Sequence, residues 1–364
     1  MPGDVTLEVL GWDARWAEVW AAHHGSSRDL VPARVVLEHQ HIYRVHTDGQ
    51  ELLARVTGRV RHKLGSREAF PAVGDWVALA RAGPTEDMAR IVDVLPRRGR
   101  FVRRAAGTIA EAQVVASNVD VVFLVSGLDH DFNVRRIERY LLAALEGGAS
   151  PVIVLNKADM SRDLDEVRRL LGPVAGQVPV VFASARTGDG VDDLRRHIGA
   201  GRTAAFLGSS GVGKSTLINR LVGRDVQRTA EVRESDSKGR HTTTHRELVV
   251  LPGGGLLIDT PGMRELQLWD VSTGLDDAFE DIAALAVDCR FRDCTHDTEP
   301  GCAVKAAVQE DRLSPDRLAN YLRLRKEVVT RPVEEAEIKA AAERRKEARL
   351  ASKALKKLYT TRNR

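Results

Sequence analysis

Residues 208–215, Gly-Ser-Ser-Gly-Val-Gly-Lys-Ser, lie between the apolar run Thr203-Ala-Ala-Phe-Leu207 and the run Lys214-Ser-Thr-Leu-Ile-Asn-Arg-Leu-Val222. The first run reads as a short buried strand and the second as the helix that follows it. Between them the pattern G-x-x-x-x-G-K-S is that of a phosphate-binding loop. Gly208, Gly211 and Gly213 let the backbone curl so that the N–H groups of Ser209, Ser210, Val212 and their neighbours through Thr216 face phosphate oxygens. The helix N-terminus there already favours an anion. Lys214 is placed to reach the β- and γ-phosphates, and the Ser215 hydroxyl to ligate Mg²⁺. A glycine-rich turn could match the same pattern by accident; a strand before it and a helix after it favour the phosphate loop.

Upstream, Pro151-Val-Ile-Val-Leu155 reads as a strand that ends in Asn156-Lys-Ala-Asp159. The Asp159 carboxylate can accept hydrogen bonds from the N1–H and the exocyclic amine of guanine together. Adenine offers no such donor pair, so this acceptor discriminates. Asn156 would steady the base and its loop, and the Lys157 stem would cover the purine face. Alone, N-K-x-D is a common four-residue loop; beside a phosphate loop in one sheet it points to GTP. Val178-Pro-Val-Val-Phe182 then leads into Ala183-Ser184-Ala185-Arg186, which reads as the companion loop whose backbone meets the base.

Downstream, the polar stretch 224–246 contains His241-Thr-Thr-Thr-His245. A threonine there can meet Mg²⁺ and the γ-phosphate and order the loop in the triphosphate state. Thr243 is the first choice, with Thr242 and Thr244 beside it; a Thr-rich mobile loop is the plainer reading. Leu256-Leu-Ile-Asp-Thr-Pro-Gly262 follows as a buried strand that delivers Asp259 to the Mg²⁺ shell and the Gly262 N–H to the γ-phosphate. Met263 comes next, where many GTPases carry the glutamine that orients the attacking water. A thioether cannot orient or deprotonate water. Unassisted turnover should therefore be slow, and His241 or His245 are candidates to help, although each also reads as an ordinary loop histidine.

The base-reading segments here precede the phosphate loop, whereas the ordinary G-domain order has that loop first. Reconnecting surface termini builds the same sheet from either order, so the expected fold is circularly permuted. The second switch then runs directly into the C-terminal region.

The flanks have their own signatures. In residues 1–30, Trp12, Trp16, Val19 and Trp20 recur at helical spacing, as expected of a helix packed on a neighbouring domain. From residue 31 to 105 five short strands alternate with turn signals, Asp48-Gly49 among them, which fits an OB-type barrel. Strand pattern fits a nucleic-acid platform and a purely structural barrel alike. Arg59, Arg61, His62, Lys63 and Arg67 read as a basic loop, and Arg97, Arg98, Arg100, Arg103 and Arg104 as a basic connector. Residues 273–330 hold every cysteine, as Cys289-x₄-Cys294-x-His296-x₅-Cys302. Three thiolates and an imidazole form a full tetrahedral shell, which suits one structural Zn²⁺ and leaves no open position for water. Residues 313–328 read as a further helix.

The net charge is +4. Residues 331–364 carry eleven Lys/Arg against five Glu, so +6 sits in the tail and −2 in the remainder. This tail is helix-prone; it reads as a solvated helix face or as a surface for a polyanion. No apolar run approaches the roughly 20 residues that span a bilayer, and acidic residues interrupt the N-terminal stretch, so neither membrane insertion nor a signal peptide is expected. Three cysteines fit a reducing, cytoplasmic setting.

Taken together, the order N-K-A-D, G-S-S-G-V-G-K-S, H-T-T-T and D-T-P-G, the barrel before it and the cysteine cluster after it resemble the RsgA family of small ribosomal subunit-dependent GTPases, over about residues 32–330. The resemblance implies a multidomain chain. An N-terminal helical extension (1–30) and an OB-type β-barrel (31–105) precede a circularly permuted α/β P-loop GTPase domain (116–272). A zinc-binding α domain (273–330) follows; the N-terminal extension (1–30) and a basic helical tail (331–364) are read from the residues themselves and lie outside the family pattern. The resemblance also implies a cytoplasmic, monomeric GTPase using GTP/GDP, Mg²⁺ and one Zn²⁺, acting late in maturation of the 30S ribosomal subunit. Such a protein contacts 16S rRNA, is stimulated by the subunit, and is released on hydrolysis. A GTP-gated RNA-binding switch independent of the ribosome, or a switch acting on a protein partner, are the other readings.

Overall fold

The computed structural model describes residues 5–25, 27, 29–39, 41–80, 87–104, 112–129, 132–161, 163–223, 246–259, 279–291, 294–315, 317–323 and 325. They fall into two compact units, residues 1–103 with 112–269, and residues 104–111 with 270–364.

The first unit opens with helix α1 (Ala14–His24), whose start is capped by the Asp13 side chain. Its tryptophan face behaves as the spacing predicts: Trp16 is buried, and Trp12 and Trp16 pack on Trp76 at centroid distances of 4.8 and 6.2 Å. Strands β1 (Leu30–His39), β2 (Ile42–Thr47) and β3 (Gln50–Val56) form a meander. Gly49, with φ of 70°, makes the β2–β3 turn that the Asp48-Gly49 pair predicts. Helix α2 (Gly58–Leu64) follows, then β4 (Trp76–Ala80) and β5 (Ala89–Val94). Pairing runs β1–β2–β3–β5–β4 and closes back from β4 to β1, so the five strands form a complete barrel with the OB strand order. Val35, Tyr43, Val45, Ala54, Val77, Leu79 and Ile91 fill its interior.

Two local expectations are corrected here. The segment read as a basic loop at Arg59–Lys63 is helical, because the Thr57 hydroxyl caps Val60 N–H and starts a turn. The basic connector is a structured pair, β6 (Arg100–Arg104) with β7 (Ala112–Ser117), and three of its arginines are neutralised. Arg97 grips buried Asp75 through Nε (2.8 Å) and Nη2 (2.7 Å), Arg98 pairs with Asp13, and Arg100 with Glu68.

Strand β8 (Val121–Gly127), helix α3 (Val134–Glu146), β9 (Ser150–Asn156), α4 (Leu164–Ala175), β10 (Val180–Phe182), α5 (Val191–Ile198), β11 (Thr203–Gly208) and α6 (Lys214–Val222) alternate as the sequence predicts. Strands β12 (Arg246–Val250) and β13 (Leu256–Asp259) complete the unit. The order is β10–β9–β8–β11–β13–β12, parallel from β10 to β13, with β12 antiparallel at the end. Phe123 and Phe206, 4.9 Å apart, sit in a core closed by Leu194, Leu217 and Leu221 from the helices. The sheet does not stop at β12. That strand pairs antiparallel with β1, so barrel and α/β region share one continuous sheet.

The second unit contains helices Glu280–Ala286 and Ala303–Gln309 and the helical residues 317–323, which bear out the start of the helix expected after Ser314. Phe279 and Tyr321 pack at 5.4 Å, and Arg317 pairs with Asp281. Thr243, Gly262 and the tail 331–364 lie outside the described residues, and of Asp259 only the backbone is described. Among the described residues no helix is long and apolar enough to cross a membrane.

Candidate nucleotide site and metal centre

Parallel strands β8, β9 and β11 end at one edge of the sheet, at Gly127, Asn156 and Gly208. Ligands of open α/β sheets lie outside such carboxyl ends. The loop from Gly208 to Gly213 takes the backbone that only glycine tolerates easily. Gly211 and Gly213 have φ of 81° and 92°, and a Cβ on Gly213 would stand 2.2 Å from Asn156 Nδ2. Lys214 and Ser215 open α6, so the first-turn amides of that helix point back into the loop. Lys214 is buried, and its Nζ donates to the carbonyls of Gly208 (2.7 Å) and Ser209 across its own loop. Ser215 and Thr216 are half-buried on the same turn, and Ser210 is exposed at the loop tip.

Asn156 ties the two base-side segments to this loop. Its Nδ2 donates to the Val212 carbonyl at 2.7 Å, and its Oδ1 accepts from Ala185 N–H at 2.9 Å. Both groups are buried, so each bond also spares a polar atom an unpaired interior. Lys157 follows in the left-handed conformation, φ 63°, which turns the chain so that Asp159 comes round toward Ser184 and Arg186. The Ser184 hydroxyl, and then Arg186 with Nη2 at 2.7 Å, hold the Asp159 carboxyl below its ordinary range, so it is ionised and can only accept near neutrality. Ser184 is itself buried.

Four supporting residues carried no motif. Asp129 pairs with Lys157, which fixes the stem of that lysine beside the loop. Arg136 and Tyr140 from α3 reach the Ser209 hydroxyl. Arg220 from α6 donates to the carbonyls of Ala185 (3.2 Å) and Arg186 (2.6 Å), binding the helix after the phosphate loop to the Ser184–Arg186 loop. Their only sequence signal is a polar group on or beside a helix or strand, which is too common to single them out.

In the second unit one ligand atom from each of Cys289, Cys294, His296 and Cys302 lies within 4.8 Å of every other. Cys289 Sγ is 3.9 Å from Cys302 Sγ and 3.6 Å from His296 Nδ1, and Cys302 Sγ is 3.4 Å from that nitrogen. Zn–S bonds of about 2.3 Å give tetrahedral edges of about 3.8 Å, close to the Cys289–Cys302 separation, so the donor set suits a tetrahedral ion. Burial opposes the Cys289 thiolate, but hydrogen bonds from the Val304 and Ala303 amides and from Cys302 and Cys294 together lower that thiol. Burial, then Arg325, holds His296 toward the neutral form that a metal requires.

Residues 94–269 match the sequence profile described as RsgA GTPase. A small ribosomal subunit biogenesis GTPase RsgA of Opitutus terrae is 49% identical over 331 residues, which cover 89% of this chain and 90% of the relative. The chain belongs to the RsgA family of GTPases. A second relative so named, RsgA 2 of Lactiplantibacillus plantarum, is 46% identical over 81% of this chain and 82% of its own length. Among solved structures, YjeQ from Thermotoga maritima superposes with a TM-score of 0.61 at 27% identity, covering 82% of this chain and 99% of YjeQ. YloQ, a circularly permuted GTPase, matches with a TM-score of 0.61 at 24% identity, covering 85% of this chain and 98% of YloQ. The RsgA-family fold therefore accounts for the inverted motif order, with the N-K-A-D segment on β9 and the phosphate loop on β11, two strands further along the chain.

Proposed function

We propose that this RsgA-family GTPase acts late in maturation of the small (30S) ribosomal subunit, as a monomer that binds the subunit and its 16S rRNA. Hydrolysis is stimulated by the subunit and drives release. The observation that carries the nucleotide half is Asn156, whose two hydrogen bonds join the phosphate loop to the Ser184–Ala185 loop in one rigid frame. The names of its relatives, small ribosomal subunit biogenesis GTPases, support the other half.

In this reading Asp159 accepts from guanine, the Lys157 stem covers the purine, and the Ser184–Ala185 backbone meets the base. The amides from Gly208 to Thr216, with Lys214, take the phosphates. Ser215, Thr243 and Asp259 hold Mg²⁺, which neutralises phosphate charge, and the Gly262 amide faces the γ-phosphate. Met263 supplies no hydrogen bond to water, so the subunit completes the arrangement that activates the nucleophile. Cys289, Cys294, His296 and Cys302 hold one structural Zn²⁺. The barrel (31–105), permuted GTPase region (116–272), zinc domain (273–330) and basic tail (331–364) divide the labour between RNA and nucleotide.

Steady-state GTP hydrolysis with and without purified small subunits tests this. Stimulation by at least about tenfold, absent in Lys214→Ala, is expected. A rate indifferent to the subunit would leave a GTP-gated switch of another kind.

A further inference from the structure

A cavity of about 530 Å³ lies at the edge of the sheet opposite the nucleotide site, between the N-terminal extension and the starts of the parallel strands. Asp120 and Arg202, which lead into β8 and β11, and Ser150, which opens β9, form one wall. The seven residues of β8 hold this edge roughly 20 Å from Gly127, so the two sites do not overlap. The extension is fitted closely to it. Gly11 has φ of 89°, and a Cβ there would stand 2.4 Å from the Gly201 carbonyl oxygen.

Arg34 on β1 gives the cavity its chemistry. It is 2% exposed and lines the cavity, yet all its hydrogen bonds go to neutral oxygens. These are the carbonyls of Leu10, Gly74 (3.2 Å) and Asn118 (3.3 Å) and the Thr203 hydroxyl (2.8 Å). No carboxylate among the described residues pairs with it. Burial draws its pKa down to about 10, and Asp120 and Asp75 oppose this only through longer-range attraction. Buried charges are ordinarily paired, and water alone supplies no counter-charge. Arg98, on the same wall, bonds Asp13, but its Nε–H is shielded from solvent and has no acceptor. Arg15 and Arg202 also line the cavity, are exposed, and form no ion pair among the described residues. Four guanidiniums therefore meet three carboxylates, Glu8, Asp13 and Asp120. Of these, Asp13 is taken by Arg98, and Asp120 accepts from Thr203 N–H at 2.7 Å.

We propose that this cavity binds a mononucleotide, free or at the 5′ end of an RNA strand, with its phosphate on Arg15, Arg98 and Arg202 beside the buried charge of Arg34. Arginine takes phosphate bidentately, and the phosphate supplies the missing counter-charge. A bare phosphate would leave most of the volume unfilled, whereas small-molecule sites run from about 300 to 1,000 Å³. Trp12, half-buried on the wall, offers ring surface for a base, and the Glu8 and Asp120 carboxylates accept from amino or ribose hydroxyl groups. This site is independent of the GTPase reading, since it shares no residue with the phosphate loop or the base-reading loops.

Calorimetric titration of the full chain with adenosine monophosphate, which the guanine-selective site does not favour, tests the proposal. One saturable event is expected, weakened about tenfold or more in Arg15→Ala and in Arg202→Ala and unchanged in Lys214→Ala. Both arginines are exposed, so the unfolding temperature should stay at the wild-type value, which separates lost binding from lost folding. Inorganic phosphate should bind at least about tenfold more weakly than the nucleotide. Displacement of adenosine monophosphate by a 5′-phosphorylated trinucleotide, and not by its 5′-hydroxyl form, would identify an RNA end as the source. Displacement by neither would identify the free nucleotide, and both outcomes support the site. No binding at millimolar nucleotide, equal affinity in wild type and both arginine variants, loss of binding in Lys214→Ala, or phosphate binding as tightly as the nucleotide would each overturn it.

Discussion

Asn156 and Val212, 56 positions apart in the chain, are joined by a 2.7 Å hydrogen bond from the Asn156 side chain to the Val212 carbonyl. The same side chain receives the Ala185 amide, so the loop for the base and the loop for the phosphates cannot shift independently. Asn156→Ala should cost about 2–4 kcal/mol of stability, since it leaves a buried carbonyl and a buried amide without partners. It should also weaken GDP binding about tenfold or more, because the frame must then be ordered by the ligand. Urea unfolding and calorimetric titration measure the two effects. Unchanged affinity would mean that the loops hold their places without Asn156.

Arg97→Ala tests the reinterpretation of the basic connector. Asp75 is fully buried and takes both carboxylate contacts of that arginine, which also caps the Glu68 and Phe70 carbonyls. Removing the cation strands a buried charge, and the expected loss is about 3–5 kcal/mol in urea unfolding. A loss below about 1 kcal/mol, with weaker RNA binding instead, would restore the connector to an RNA-facing role.

These arginines show where local sequence stops being informative. Helix α6 was legible to the residue, because the G-K-S turn starts it and Leu217, Ile218, Leu221 and Val222 give it one apolar face. The Asn156-Lys-Ala-Asp159 and Cys289–Cys302 clusters were equally legible, since chemistry fixes their spacing. The charge of residues 97–100 was misread because their partners, Asp75, Asp13 and Glu68, are distant in sequence. Strand β12 escaped for a related reason. It is five residues long, follows a polar stretch, and acquires its place only by pairing with β13 and with the barrel strand β1, more than two hundred positions earlier. Helix α2 was hidden by its charge, with a single threonine cap as its only start signal.

The metal centre makes a prediction independent of nucleotide. The purified chain should carry about one Zn²⁺, and a strong chelator should lower the unfolding temperature and remove amide-exchange protection from residues 279–323. Cys302→Ala should do the same without a chelator. Full protection in a metal-free sample would show that packing such as Phe279 on Tyr321 suffices.

Asp159 sets the acid limit of base recognition. The Ser184 hydroxyl and Arg186 depress its pKa, so the ionised form persists below the ordinary carboxylate range and is lost only as pH falls through the depressed value. GDP affinity attributable to this group should therefore stay flat from neutrality to about pH 5. In Arg186→Ala the fall should begin at higher pH. Identical pH profiles for wild type and Arg186→Ala, measured by fluorescent-nucleotide titration, would show that Arg186 does not set the ionisation of Asp159 in the recognition step.

The most direct test of the account is the affinity of the purified chain for GDP and for ADP, each with Mg²⁺, by calorimetric titration. A carboxylate acceptor built for guanine predicts that GDP binds about a hundredfold tighter or more, and that Asp159→Ala removes most of the difference. Equal affinities for the two nucleotides in the wild-type chain would contradict it.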